Sequence, residues 1–155
     1  VSEHRPEPID VHLPSLAKVA VLKTRWNTRI VDRLLNAATT RLDELAVSYA
    51  IFDVPGAFEL PTAAKWATQS HDAVIALGCV IRGGTPHFEY VAGNCARGLM
   101  DVCVETMVPC IFGVLTVDDE QQALDRSGGS HGDAGREAVD AAATMIALRR
   151  RLWDS

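Results

Sequence analysis

The chain has no long hydrophobic run: nowhere in its 155 residues does an apolar stretch approach the roughly 18 residues needed to cross a bilayer. No basic stretch precedes a signal-like apolar segment, so nothing reads as a targeting leader. Positive charge is not in excess either. Fifteen Lys and Arg against 20 Asp and Glu leave a formal net charge of −5, which argues against a nucleic-acid binder with a basic stripe. The four cysteines, Cys79, Cys95, Cys103 and Cys110, form no Cys-x-x-Cys pair. The paired spacing of a structural zinc site is therefore missing, and a disulfide framework is out of place in a chain this apolar. Free thiols in a reducing cytoplasm are the reading that remains. What the sequence does have is 48% hydrophobic and 23% charged residues, close to the globular average and enough to build a core.

Residues 1–16 hold three prolines and little periodicity, so they read as an N-terminal arm whose alternating end (Ile9 to Leu13) could add to a sheet edge. Residues 17–155 read as one domain. Lys18 to Leu22 is a short apolar strand, and Asn27 or Thr28 then caps a helix with Ile30, Val31, Leu34, Leu35, Ala38, Leu42 and Leu45 at helical spacing. A second strand over 47–53 leads through the Val54-Pro55-Gly56 turn to a helix over 58–69, with Pro61 in its first turn. Residues 72–81 (DAVIALGCVI) are almost continuously apolar, as expected of a parallel strand covered on both faces. A helix from Pro86 to about Met107, a buried strand over 109–115, a short helix over 118–126, a glycine-rich loop over 127–133 and a last helix from Gly135 complete the pattern. Strands alternate with helices four times. The expected class is α/β, with a central four-stranded parallel sheet between helical layers.

The chemistry concentrates where the most buried strand ends, at Arg82-Gly83-Gly84-Thr85-Pro86-His87. Open α/β sheets place ligands beyond the carboxyl ends of their strands. Gly83 and Gly84 allow positive φ and close backbone approach, Thr85 suits an N-cap, and Pro86 suits the first helical position. Free amides at a helix start form a phosphate cradle. His87 in the same turn is suited to proton transfer near neutral pH. A glycine turn with an ordinary cap would read the same way without the histidine. Val54-Pro55-Gly56-Ala57-Phe58-Glu59 lies at the same edge, where Glu59 either answers a helix dipole or accepts hydrogen bonds from a hydroxyl-rich ligand. Trp26 shares that rim as a packing residue or as a platform for a planar ring. Arg126 closes a short helix, where it answers the negative helix end or clamps a phosphate. His4, His12, His71 and His131 show no ligand spacing.

VPGAFELP at 54–61, DAVIALGCVIRGGTPHFEYV at 72–91, VPCIFGVLT at 108–116 and EQQALDRSG at 120–128 together resemble the lumazine synthases of riboflavin biosynthesis. The resemblance spans nearly all of residues 19–149. It implies a flavodoxin-like three-layer fold and the condensation of 5-amino-6-(D-ribitylamino)uracil with 3,4-dihydroxy-2-butanone 4-phosphate, with release of phosphate and water and with no metal or organic cofactor. It makes His87 the acid–base residue and gives the butanone phosphate to Gly84, Thr85 and Arg126. Trp26 stands at the ring-stacking position, where the family usually has Phe and sometimes Trp. Ala57, Phe58 and Glu59 fall on the ribityl side, Val80 and Ile81 meet the pyrimidine through their backbones, and Phe112 completes the pocket from a neighbouring subunit. The family assembles as pentamers, some closing into icosahedral shells, and the short 127–133 loop favours a shell. No nucleic-acid or membrane partner is implied. One position departs: Ala134 stands where the family commonly has lysine, with Arg136 nearby as a substitute. That departure and the larger Trp26 give an alternative, a flavin-binding or shell-forming scaffold with weakened catalysis and bound riboflavin. A generic flavodoxin-like regulatory domain would explain the sheet but not His87 beside Gly83-Gly84-Thr85.

Overall fold

A computed structural model describes residue 7 and residues 16–155; the N-terminal arm falls almost entirely outside the described residues. Four strands, β1 (Lys18–Thr24), β2 (Ser48–Val54), β3 (Ala73–Ile81) and β4 (Cys110–Val117), form a parallel sheet in the order β2-β1-β3-β4. Between them run α1 (Thr28–Glu44), α2 (Leu60–Ala67) and α3 (His87–Thr106), and after β4 come α4 (Glu120–Arg126) and α5 (Ala134–Trp153). Because every strand is parallel, each connection crosses a face of the sheet and covers it. The result is the three-layer α/β/α arrangement of the flavodoxin-like fold.

Two apolar cores follow from the pleat. On one face Val19, Val21, Ile75 and Leu77 pack against Ile30, Leu34 and Leu42 of α1 and Val139, Ala142 and Ile146 of α5. On the other face Ala20, Leu22, Val74 and Ala76 pack against Leu60 and Ala64 of α2 and Cys95 and Leu99 of α3. β3 touches both cores, and its first seven residues are buried. Its unbroken apolar run has that cause.

Four details depart from the sequence expectations. Residues 58–69 are not one helix: Ala57–Glu59 make a 3-10 turn, α2 begins only at Leu60, and Pro61 sits where its missing N–H costs no bond. β4 is a sheet edge rather than a buried strand, with Phe112 exposed. The 127–133 loop is a small antiparallel ribbon of β5 (Ser127–Gly129) and β6 (Gly132–Asp133), with Gly128 and Gly132 at positive φ (94° and 116°). The start of α3 shifts by one residue: Pro86, not Thr85, takes the capping position, and the Thr85 hydroxyl accepts from the His87 N–H at 3.5 Å.

Candidate active site

A cleft of about 540 Å³ opens at the carboxyl edge of the sheet. Its walls come from the ends of β1 and β3, the Gly56–Glu59 turn and the first turns of α3. Local chemistry shapes each wall. Asn27 adopts left-handed backbone (φ 52°, ψ 51°), which asparagine tolerates better than most residues, and its carbonyl accepts from Ile30 and Val31 to start α1. Its side-chain amide donates to the Cys79 carbonyl at 2.9 Å. β1 stops pairing with β3 at Lys23–Leu77, so the β3 backbone beyond that point needs other partners, and Asn27 supplies one. The residues that follow, Val80 and Ile81, line the cleft half-buried.

Gly56 holds the opposite wall. Its backbone is extended (φ −161°), so what matters there is space rather than conformational freedom. A methyl group on it would lie 3.1 Å from the Glu59 Oε2 and 3.3 Å from the Trp26 Nε1. The carboxylate and the indole therefore both rest against this one bare position. Trp26 is 71% exposed, an unusual setting for so large an apolar ring and one that leaves it free to face a ligand. Phe58 is likewise exposed along the cleft, and Ala57 is buried at its base. His87 reaches the cleft from the first residue of α3, with Tyr90 and Val91 one turn on.

The Gly83-Gly84 segment differs from expectation in its geometry. Neither glycine takes positive φ, and a Cβ on either would meet nothing within 4 Å. Their use is a bare, open backbone rather than a special turn. Arg82 beside them is not available to an anion. It pairs with Glu89 and, at 2.9 Å, with Asp118, and its guanidinium lies 4.4 Å from the Phe88 ring centroid. The bond to Arg82 holds the Glu89 carboxyl below the usual carboxylate range.

Of the residues singled out from sequence, Trp26, Ala57, Phe58, Glu59, Val80, Ile81 and His87 meet around the cleft. Gly84, Thr85, Phe112 and Arg126 do not line it. Phe112 pairs in register with Ala76, far down β3 from Ile81, so it cannot reach its own chain's cleft. Arg126 is exposed and, among the described residues, donates only to the Gln122 carbonyl, at 3.3 Å. Arg136, the candidate substitute for a lysine at 134, pairs its fork with both carboxylate oxygens of Glu44, at 3.1 and 2.9 Å, on the exposed surface. Sequence reasoning missed Thr24, Asn27 and Tyr90 as cleft residues. The left-handed tolerance of asparagine, one residue after Trp26, was the signal that could have found Asn27.

Residues 16–150 match the family described as 6,7-dimethyl-8-ribityllumazine synthase. Similar proteins bearing that name include one from Arthrobacter sp. (strain FB24), 51% identical over 88% of this chain and 87% of that protein. One from Streptomyces coelicolor is 50% identical over 86% and 85% of the two chains, and one from Kineococcus radiotolerans is 53% identical over 85% of each.

Proposed function

The chain belongs to the 6,7-dimethyl-8-ribityllumazine synthase family, and from that premise we propose how its cleft carries out the condensation of 5-amino-6-(D-ribitylamino)uracil with 3,4-dihydroxy-2-butanone 4-phosphate. The single observation behind the residue roles is the convergence of Trp26, Glu59 and His87 on one cleft at the sheet edge. Trp26 stacks on the pyrimidine, and the Val80 and Ile81 backbones hold its polar edge. Ala57, Phe58 and Glu59 take the ribityl chain, the carboxylate accepting from its hydroxyls. The 5-amine adds to the ketone carbon and water leaves as the imine forms. Loss of the proton on the carbinol carbon next to the imine then drives out the phosphate and leaves an enol. The enol takes up a proton on its terminal carbon to become a methyl ketone, and the ribityl-bearing nitrogen attacks this new carbonyl, releasing a second water as the ring closes. His87 moves these protons, while the cleft's main contribution is to hold two reactants in register.

Gly84, Thr85 and Arg126 hold the phosphate in this reading, and Phe112 completes the pocket. Phe112 cannot serve its own cleft, and Arg126 is absent from the lining of its own, so both are assigned to the cleft of a neighbouring copy. Association is supported by apolar surface: Tyr90, Met100 and Val104 stand exposed on α3, and Ile51 and Phe52 stand exposed on the edge strand β2. We take residues 17–155 as the folded unit and the assembly as a pentamer, with closure into a shell favoured by the short β5–β6 connection; light scattering measures either size directly. The free thiols suit a cytoplasmic setting, and no helix among the described residues is long and apolar enough to cross a membrane. The scaffold alternative is not favoured, given about half identity to named synthases over most of the chain. Riboflavin binding at Trp26 remains part of the proposal, and a colourless preparation that takes up no added riboflavin counts against it. The deciding experiment mixes both substrates and follows lumazine fluorescence. Formation above the uncatalysed rate is expected, and its absence defeats the reading.

A further inference from the structure

Thr24, the last residue of β1, carries a hydroxyl that the fold leaves without a partner. The residue is 2% exposed, and its Oγ1 is buried with no hydrogen bond among the described residues. Its side chain lies over Gly78 of β3: a Cβ at that position would meet the Thr24 Oγ1 at 3.1 Å and Cγ2 at 3.2 Å, with the Val114 Cγ1 at 3.5 Å. Glycine at 78 thus makes room for a branched side chain. In a surround this apolar, valine would fill the same space without burying an unpaired polar atom. Threonine here also lines the cleft. An unpaired buried hydroxyl on a residue that borders a ligand site is accounted for when the ligand completes it.

We propose that Thr24 is a specificity-determining residue whose hydroxyl, at the floor of the cleft, hydrogen-bonds a hydroxyl of the ligand's polyhydroxylated chain. The placement favours the chain over the ring. Thr24 pairs in register with Val54, two residues before Gly56, which sets it on the side where the Ala57–Glu59 turn begins. The ring platform, Trp26, sits exposed, whereas Thr24 is buried. A threonine hydroxyl both donates and accepts, which matches a sugar-alcohol hydroxyl in either orientation. This inference rests on the reading above that the cleft takes a ribityl-bearing ring.

The test is Thr24→Val, which keeps the shape and removes the hydroxyl. Binding of 6,7-dimethyl-8-ribityllumazine is compared with that of 6,7,8-trimethyllumazine, the same ring with a methyl in place of the chain, by quenching of protein fluorescence. The expected result is about a tenfold loss for the ribityl compound alone, the ordinary size of one hydrogen bond. The ligand-free variant should melt no lower than the parent, because an unpaired buried group has gone. Thr24→Ser, which restores a hydroxyl, should recover most of the affinity. An equal loss for both compounds, no loss for either, or a lower melting temperature without ligand would each overturn the proposal. A parent protein that binds neither compound and makes no lumazine defeats the reading of the cleft and this inference with it. A parent that binds and turns over normally, beside an indifferent Thr24→Val, defeats the inference alone.

Discussion

Gly135→Ala places a single methyl group between two helices. Gly135 is buried in the first turn of α5, and a Cβ built on it would lie 2.2 Å from the Leu34 carbonyl oxygen and 2.9 and 3.0 Å from that residue's C and Cα. Real Cβ atoms essentially never come within 3.0 Å of such neighbours. The obstacle is α1 backbone, so no side-chain rotation relieves it, and the helices must part by roughly 1 Å in an interior packed like a crystal. Opening that seam loosens Ile30 and Leu34 from Ala138, Val139 and Ala142, all buried in one core. Two effects oppose each other. Alanine gains at most about 1 kcal/mol over glycine from helix propensity, while overpacking costs about 1–3 kcal/mol and a backbone obstacle puts it at the upper end. The net loss is about 2 kcal/mol, which for a domain of this size lowers Tm by roughly 4–8 °C. Circular dichroism melts of parent and variant at equal concentration measure it, since Tm depends on concentration in any protein that self-associates. An unchanged or raised Tm would refute the argument, because propensity would then have won and the helices could not lie this close.

His87→Ala should slow lumazine formation about a hundredfold, the usual scale of a general acid–base group, while particle size by light scattering stays that of the parent. Arg126→Ala should raise KM for the butanone phosphate by roughly tenfold or more through loss of a charged hydrogen bond, with riboflavin affinity unchanged. Single-turnover rates equal to the parent's in both variants would show the roles to be misassigned. Alkaline pH tests the buried thiols. Burial pushes Cys79 and Cys95 up to about 11 and Cys110 up to about 12, from an ordinary value of 9.0. Between pH 9 and 12 the unfolded chain therefore loses protons that the folded chain keeps, so folding stability falls as pH rises through that window. The urea midpoint should drop across it, less steeply in Cys95→Ala; identical slopes would mean that this thiol does not stay protonated.

The alternation of elements, the buried central strand and the edge that carries the chemistry were legible because they depend on near neighbours in the chain. A short apolar run such as residues 73–79, bounded by turn signals, reads as a strand covered on both faces, and Gly-Gly-Thr-Pro after it reads as a turn into a helix. His87 and Glu59 could be placed at one edge for the same reason, since all parallel strands end there. The boundaries were less accurate where two signals competed, as at Thr85 and Pro86 or at Phe58 and Pro61. Other features depend on atoms far apart in sequence. Nothing local marks Gly98, yet a Cβ on it would meet the Pro61 Cγ at 2.6 Å. Nothing local shows that Glu44 occupies Arg136, that Asp118 and Glu89 occupy Arg82, or that the Thr24 hydroxyl is left over beside Gly78. Sequence alone determined which residue types reach the rim of the sheet, because periodicity and turn chemistry are local. Which of those groups are spent on one another and which stay open to a ligand was decided only by the tertiary structure, because each charge and hydroxyl is satisfied by whatever the fold brings within about 3 Å of it.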